Sequence, residues 1–159
     1  EGTAAGYPTS AKFAWDAKFL YVAVVCGHPD GKQVPRAESR KYDDDLAGHD
    51  RVDLLLDLDR DYQTYYRFQI DHRGCVAEDC WGDRSWNPKW FVAVEPTATG
   101  WTAEIAIPRA ELTGTPLDGR TAWAMNLVRV VPGHGTQAYS LPAGETARPE
   151  GMGVLKFAK

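Results

Sequence analysis

The chain reads as an all-β protein: an antiparallel β-sandwich, immunoglobulin-like or jelly-roll-like, of about nine to ten strands. Three observations predict it. Apolar and polar side chains alternate strictly in short stretches, turn residues separate those stretches at close spacing, and scarcely any stretch reads as helix.

The elements follow in order. Residues 1–11 are small, polar and Pro/Gly-containing, and form a lead-in. Lys12–Trp15 is a short strand ending at Asp16. Phe19–Cys26 is apolar on both faces, which suits a central strand of a sandwich. Gly27–Gly48 is long, polar and too irregular for a strand, with one helical turn expected over Arg36–Lys41. Arg51–Asp71 is the organising stretch. Val52, Leu54, Leu56 and Leu58 fall on one side, with Arg51, Asp53, Leu55 and Asp57 on the other. Tyr66, Phe68 and Ile70 are likewise opposed by Tyr65, Arg67, Gln69 and Asp71, and the link D-L-D-R-D-Y-Q is short enough for a hairpin-type connection. A return strand lies near Gly74–Glu78. Trp81–Lys89, with its Gly, Ser and Asn-Pro, is a loop, and Trp90–Glu95 resumes the alternation. Gly100–Ile107 turns Trp101, Ala103, Ile105 and Ile107 inward until Pro108 stops it, and Arg109–Leu112 is at most a helical turn. Thr121–Val131, Gln137–Leu141 and Gly153–Phe157 complete the set.

At 159 residues the chain suits a single domain spanning 1–159, large enough to bury a core without staples and expected to be excised from a longer polypeptide. A formal charge of -4 without a basic stripe argues against a nucleic-acid partner. No apolar run approaches the ~20 residues needed to span a membrane. Cys26, Cys75 and Cys80 have no metal-ligand spacing, and neither do His28, His49, His72 and His134. Cys75 and Cys80 are close enough to bridge if the chain turns between them, and the odd count leaves at least one free thiol, assigned to Cys26 in its apolar run.

The segments WDAKFLYVAV, GHDRVDLLLDLD, YYRFQID with a following Gly, WTAEIAIPRAEL, WAMNLVR and a closing P-x-x-M-G-V-L-K-F are individually loose. Their order and spacing, from about Lys12 onward, resemble the family 9 carbohydrate-binding modules, which are related in fold to DOMON and haem-binding sandwich domains. The resemblance implies a calcium-containing sandwich that binds sugars without turning them over. It also implies an extracellular or periplasmic appendage of a glycoside hydrolase or another secreted protein, with the other domains of that polypeptide as partners. The family's polar positions carry over to Asp53 and Gln69; its two stacking tryptophans fall at Ala47 and Thr146, neither of them aromatic.

A sugar site needs an aromatic face for the C–H bonds of the ring and charged or amide partners for its hydroxyls. Asp53, Arg67, Gln69 and Arg129 are expected to line a polar recess, with Trp86 as the stacking surface and Trp81 and Tyr139 as further candidates. Trp15, Trp101 and Trp123 lie in strand patterns and read as core; so, by its strand context, does Trp90. The competing reading of the polar residues is a cross-strand ion pair on a solvated sheet. Asp57, Asp59 and Asp61 form an alternating set of hard oxygen donors suited to calcium. They do not open an EF-hand loop, since Tyr62 stands where glycine is required and no Glu stands at the twelfth position. Asp43, Asp44, Asp45 and Asp50 make a second acidic group. No nucleophile elbow, Ser-His-Asp order or phosphate loop supports catalysis. Two alternatives stand beside sugar binding. One is a haem-carrying electron-transfer domain, disfavoured because Met125 alternates with Trp123 and Leu127 as core, leaving Met152 as the other thioether. The other is an interaction or spacer domain that has lost the sugar site.

Overall fold

The computed structural model describes residues 7–140 and 149–158, and two antiparallel sheets account for nearly all of its regular structure. The first sheet carries the strands β1 (Thr9–Trp15), β2 (Phe19–Gly27), β6 (Phe91–Thr97) and β7 (Gly100–Pro108), in the order β1-β2-β7-β6. The second runs β10-β8-β3-β4-β5, from β3 (Arg51–Asp57), β4 (Tyr66–Asp71), β5 (Val76–Cys80), β8 (Ala122–Val131) and β10 (Gly153–Lys156), while β9 (Gly135–Ala138) also pairs with β8. Two short 3₁₀ turns, Arg109–Glu111 and Pro149–Gly151, are the helical pieces among the described residues.

The alternation that defines the central hairpin also builds the core. Val52, Leu54, Leu56, Phe68 and Ile70 face Leu20, Val22, Val24, Trp101, Ala103, Ile105 and Ile107 across the sandwich, and all are buried. Each aliphatic or aromatic side chain so buried contributes roughly 1.5–3 kcal/mol. The pairing Val52↔Ile70 and Leu54↔Phe68 is held in place by that burial, because a slip of one residue would drive Asp53 and Gln69 into the core. A tight turn joins β4 to β5, with Gly74 at φ +85 and its N–H bonded to the carbonyl of Asp71.

Four expectations are corrected. The first strand begins at Thr9, not Lys12, since Thr9 and Ser10 continue the pairing with β2. β2 is central, but only one of its faces is dry: Val25 is 52% and Tyr21 38% exposed, because nothing among the described residues packs over the outer side of its sheet. No helical turn forms over Arg36–Lys41. The segment instead ties the two sheets together. Ala37 donates to the Arg73 carbonyl and Val76 to the Lys41 carbonyl, while Arg36 pairs with Glu95 at 2.7 Å and Arg40 donates to the Val92 carbonyl. The strand expected over Gln137–Leu141 forms earlier, at Gly135–Ala138, where its register with Val128–Val131 is set by the turn at Gly133; Leu141 lies outside the described residues.

Candidate functional site

On an open sheet the outward side chains of a strand are wet. In β3 they are not: all seven residues are buried, the outward Arg51, Asp53 and Asp57 included. Their polar atoms are therefore paired. Register places Asp53 opposite Gln69 and Arg67 opposite Asp79. Asp53 accepts from Arg51 Nε at 3.2 Å on one oxygen and from Gln69 Nε2 at 2.9 Å on the other. Arg67 Nε donates to Asp79 at 2.6 Å, and the second Asp79 oxygen accepts the Gly82 N–H at 2.7 Å. Burial pushes the Asp53 carboxyl up, against the opposing pull of Arg51 and Gln69.

Two small apolar clusters flank this network. Met152 packs with Leu55, Ala124, Val128 and Val130, and Leu46 packs with Cys75 and Ala77. Beside the network opens a recess of about 210 Å³, lined by Arg51, Arg67, Gln69 and Arg84 and by the loop Asp44–Gly48. Asp53 and Asp79, 3% and 1% exposed, stand behind the arginines and amide they orient and do not line it. Ala47, the position where the resemblance puts a stacking residue, is on the rim; Thr146 lies outside the described residues. No aromatic side chain lines the recess among the described residues.

The remaining predicted residues fall elsewhere. Arg129 is opposite Val52 and so points inward. It is fully buried in an ion pair with Asp50, through Nε at 2.9 Å and Nη2 at 2.7 Å, and donates to Thr9 Oγ1 at 3.0 Å. Trp101 Nε1 completes the group by donating to Asp50 at 3.0 Å. The signal was in the sequence, since Trp123, Met125 and Leu127 share one face and Arg129 continues it. Trp86 is also on the inner side, its ring 4.8 Å from Tyr66 and 5.5 Å from Phe68, so it closes the core edge and does not face Asp53. Trp81 is 67% exposed at the end of β5, its N–H held by the Tyr65 carbonyl, and is not part of the recess.

Tyr139 rims a different and larger cleft, about 320 Å³, between β1 and the edge formed by β8, β9 and β10. Its walls are mainly apolar (Phe13, Met125, Leu127, Leu155), and its polar residues Thr9, Gln137 and Arg129 are bonded within the protein. Thr9 Oγ1 donates to Gln137 Oε1, and Gln137 Nε2 donates to the Tyr7 carbonyl. Met125 lines this cleft with no histidine or lysine among its lining residues, so a haem would lack a second axial ligand from these walls. Sequence reasoning missed Arg84, and it reached the Asp44–Gly48 loop only through an acidic group and the position of Ala47. Loop residues carry no periodicity that would orient them; Asp79, by contrast, follows from extending the hairpin register one strand further.

Asp57, Asp59 and Asp61 do converge, each offering an oxygen within 4.8 Å of the others. Asp57 accepts the N–H groups of Arg60 and Tyr62, and Asp61 those of Gln63 and Thr64. Burial pushes the Asp57 carboxyl up. The second acidic group does not assemble: Asp50 is held by Arg129, Asp44 by Arg73 at 3.2 Å, and Asp45 accepts the Ala47 N–H. All three cysteines are free. Cys75 and Cys80 stand at opposite ends of one extended run, about 16 Å apart at the ~3.3 Å rise of a strand, too far to bridge. Burial pushes the Cys26 thiol up to about 12.

No protein-family model matches the chain, and no curated protein matches it in sequence. Solved structures do match. A Bacteroides uniformis protein described as a candidate carbohydrate-binding protein is 13% identical with a TM-score of 0.72, over 96% of this chain and 79% of that one. A family 9 carbohydrate-binding module of Caldicellulosiruptor kristjanssonii in complex with glucose is 16% identical with a TM-score of 0.67, over 99% of this chain and 79% of that one. A family 9 module from the same organism in complex with cellotriose is 17% identical with a TM-score of 0.62, over 95% and 75%. At such identities the likeness is one of architecture, and in architecture this chain is a sandwich of the family 9 carbohydrate-binding-module type.

Proposed function

We propose that the chain is a non-catalytic carbohydrate-binding domain of a larger extracellular or periplasmic polypeptide, and that its site is the recess over β3 and β4. The observation that carries this reading is the buried polar face itself. Arg51, Arg67 and Gln69 line a hollow, each held in place by a carboxylate behind it, on a sandwich of the kind whose solved members bind glucose and cellotriose. Side chains fixed in this way meet a sugar without a further ordering cost. The volume is below the ~300–1,000 Å³ of pockets for drug-sized ligands, which fits one ring or the end of a chain. Turnover has no support from the lining. Among the described residues its carboxylates, Asp44 and Asp45, are neighbours on one loop, whereas a glycosidase sets its two carboxyl groups on either side of the scissile bond. Calorimetric titration with mono- and oligosaccharides tests the reading, and no heat with any of them would end it.

Asp57, Asp59 and Asp61 are proposed to hold a calcium ion, since three converging hard oxygens fit that cation. Calcium at about 100-fold excess over its Kd should add ~2.7 kcal/mol, roughly 5–10 °C in Tm for a domain of this size. The double variant D59N/D61N should lose that increment; an unchanged Tm on calcium addition counts against the site.

One observation favours a second reading, that of an interaction domain without a sugar site: Trp86 packs inward and the recess has no aromatic wall among the described residues. Silence across a glycan panel, with a partner domain protecting the 44–48 loop from hydrogen exchange, would select it.

A further inference from the structure

We propose that the recess selects a sugar carrying an anionic substituent, a uronate or a sulfated sugar, with Arg84 and Arg67 as the groups that receive the charge. This rests on the carbohydrate-binding reading above and goes further in naming the class of ligand.

Two independent features carry it. The first is what the recess lacks. Neutral sugars present flat C–H faces, and their recognition leans on aromatic stacking; here no aromatic side chain lines the hollow among the described residues. Polar contacts must then supply the affinity, and single neutral hydrogen bonds contribute only ~0.5–1.5 kcal/mol each after water is displaced.

The second feature is the balance of charge on the lining. Arg51 is bonded to Asp53 and Arg67 to Asp79, so both are neutralised from behind. Arg84 has no such partner: among the described residues it makes no hydrogen bond or ion pair, yet it shares the same lining. Arg67 uses Nε and Nη2 on Asp79, which leaves Nη1 for a ligand. A neutral ring settling over Arg84 would dehydrate a cation without replacing its counter-charge, which is unfavourable. A carboxylate or sulfate there makes charge-assisted, two-pronged bonds with the guanidinium. The acidic residues of the lining belong to the 44–48 loop. Asp44 is held by Arg73, and Asp45 keeps one oxygen on the Ala47 N–H and one toward solvent or a hydroxyl. In the proposed complex the anionic end meets Arg84 and Arg67 and the hydroxyls meet the 44–48 loop.

The test is calorimetric titration of the wild type and R84Q with D-glucose, D-glucuronate, D-galacturonate, glucose 6-sulfate and, as a bare anion, acetate. An anionic sugar should bind at least about tenfold more tightly than glucose, a preference weakened by salt and removed in R84Q. The Tm should not change, because Arg84 is exposed and, among the described residues, unpaired. Whether the uronates or the sulfate gain most identifies the substituent. Equal affinity for glucose and the anionic sugars, or a preference that survives R84Q, overturns the inference and leaves sugar binding standing. Acetate binding as tightly as the uronates overturns it by reducing the site to a simple anion site. No binding of any sugar removes both.

Discussion

The outward faces of the two sheets follow the same pattern of alternation and meet opposite fates. On the four-stranded sheet Val25, Tyr21 and Phe91 face water at 52%, 38% and 58% exposure. On the six-stranded sheet Asp53, Asp79 and Gln69, more polar by far, are 3%, 1% and 9% exposed. If hydrophobicity alone decided coverage, the assignments would be reversed. The difference lies in what packs over each face: Leu46 and Met152 fold down onto the second sheet, and nothing described folds onto the first. Burying charge is costly unless every member is paired, and here the pairs are made at 2.6–3.2 Å. A face that is polar, covered and satisfied, beside a hollow, is what the proposed ligand site rests on.

Breaking one pair should therefore show how far that face is integrated into the fold. D53A leaves Arg51 and Gln69 facing a vacated carboxylate site, and a destabilisation of about 3–5 kcal/mol is expected from urea denaturation. A loss below about 1 kcal/mol would mean that water reaches the network freely and that the contrast between the two faces is overstated. W86A comes next. Its ring packs on Tyr66 and Phe68, so stability should fall by ~2 kcal/mol while any sugar affinity stays unchanged. Loss of binding in a still-folded W86A would return Trp86 to the outward face.

These two residues also mark what could be read in the sequence. The hairpin was legible because side-chain direction in a strand has period two, so Val52 to Ile70 and Asp53 to Gln69 sort themselves without any tertiary information. Arg129 obeys the same period: its register with Met125 and Leu127 turns it inward, where Asp50 meets its charge. Trp86 and Arg84 carry no such signal. They are loop residues whose direction is set by strands distant in sequence, and they end on opposite sides: one in the core edge, one in the recess. Coverage was likewise illegible, since Leu46 and Met152 are more than a hundred residues apart and neither marks itself as a lid.

Glu78 and Asp79 repeat the contrast across a single peptide bond. Asp79 points outward to Arg67; Glu78 points inward and, among the described residues, has the Trp90 indole N–H, at 3.0 Å, as its one hydrogen-bond partner. Burial pushes the Glu78 carboxyl up. The folded state then holds that proton more tightly than the unfolded chain, so its contribution to stability is full below the ordinary glutamate range and is lost as pH rises through the raised value. E78Q keeps an acceptor for Trp90 and has no charge to bury. Its stability should match or exceed wild type by about 1 kcal/mol at neutral pH and should flatten the pH profile just above the ordinary glutamate range. A parallel profile would show Glu78 to be solvated.

The smallest expected effect tests the other half of the contrast. Val25 is 52% exposed with no described element over it, so V25T adds a hydroxyl that water can satisfy and removes a methyl that little covers. The change should stay within about 0.5 kcal/mol, as for surface substitutions away from special features. Threonine is as well suited to a strand as valine, so propensity does not mask the result. A loss of 1.5 kcal/mol or more would mean that something covers the outer face of the four-stranded sheet in solution, such as a neighbouring domain or a second copy. That face, with Phe19, Tyr21 and Phe91 gathered on it, would then be an interface, and the bare sheet would differ from the buried one only in having its cover supplied from outside the chain.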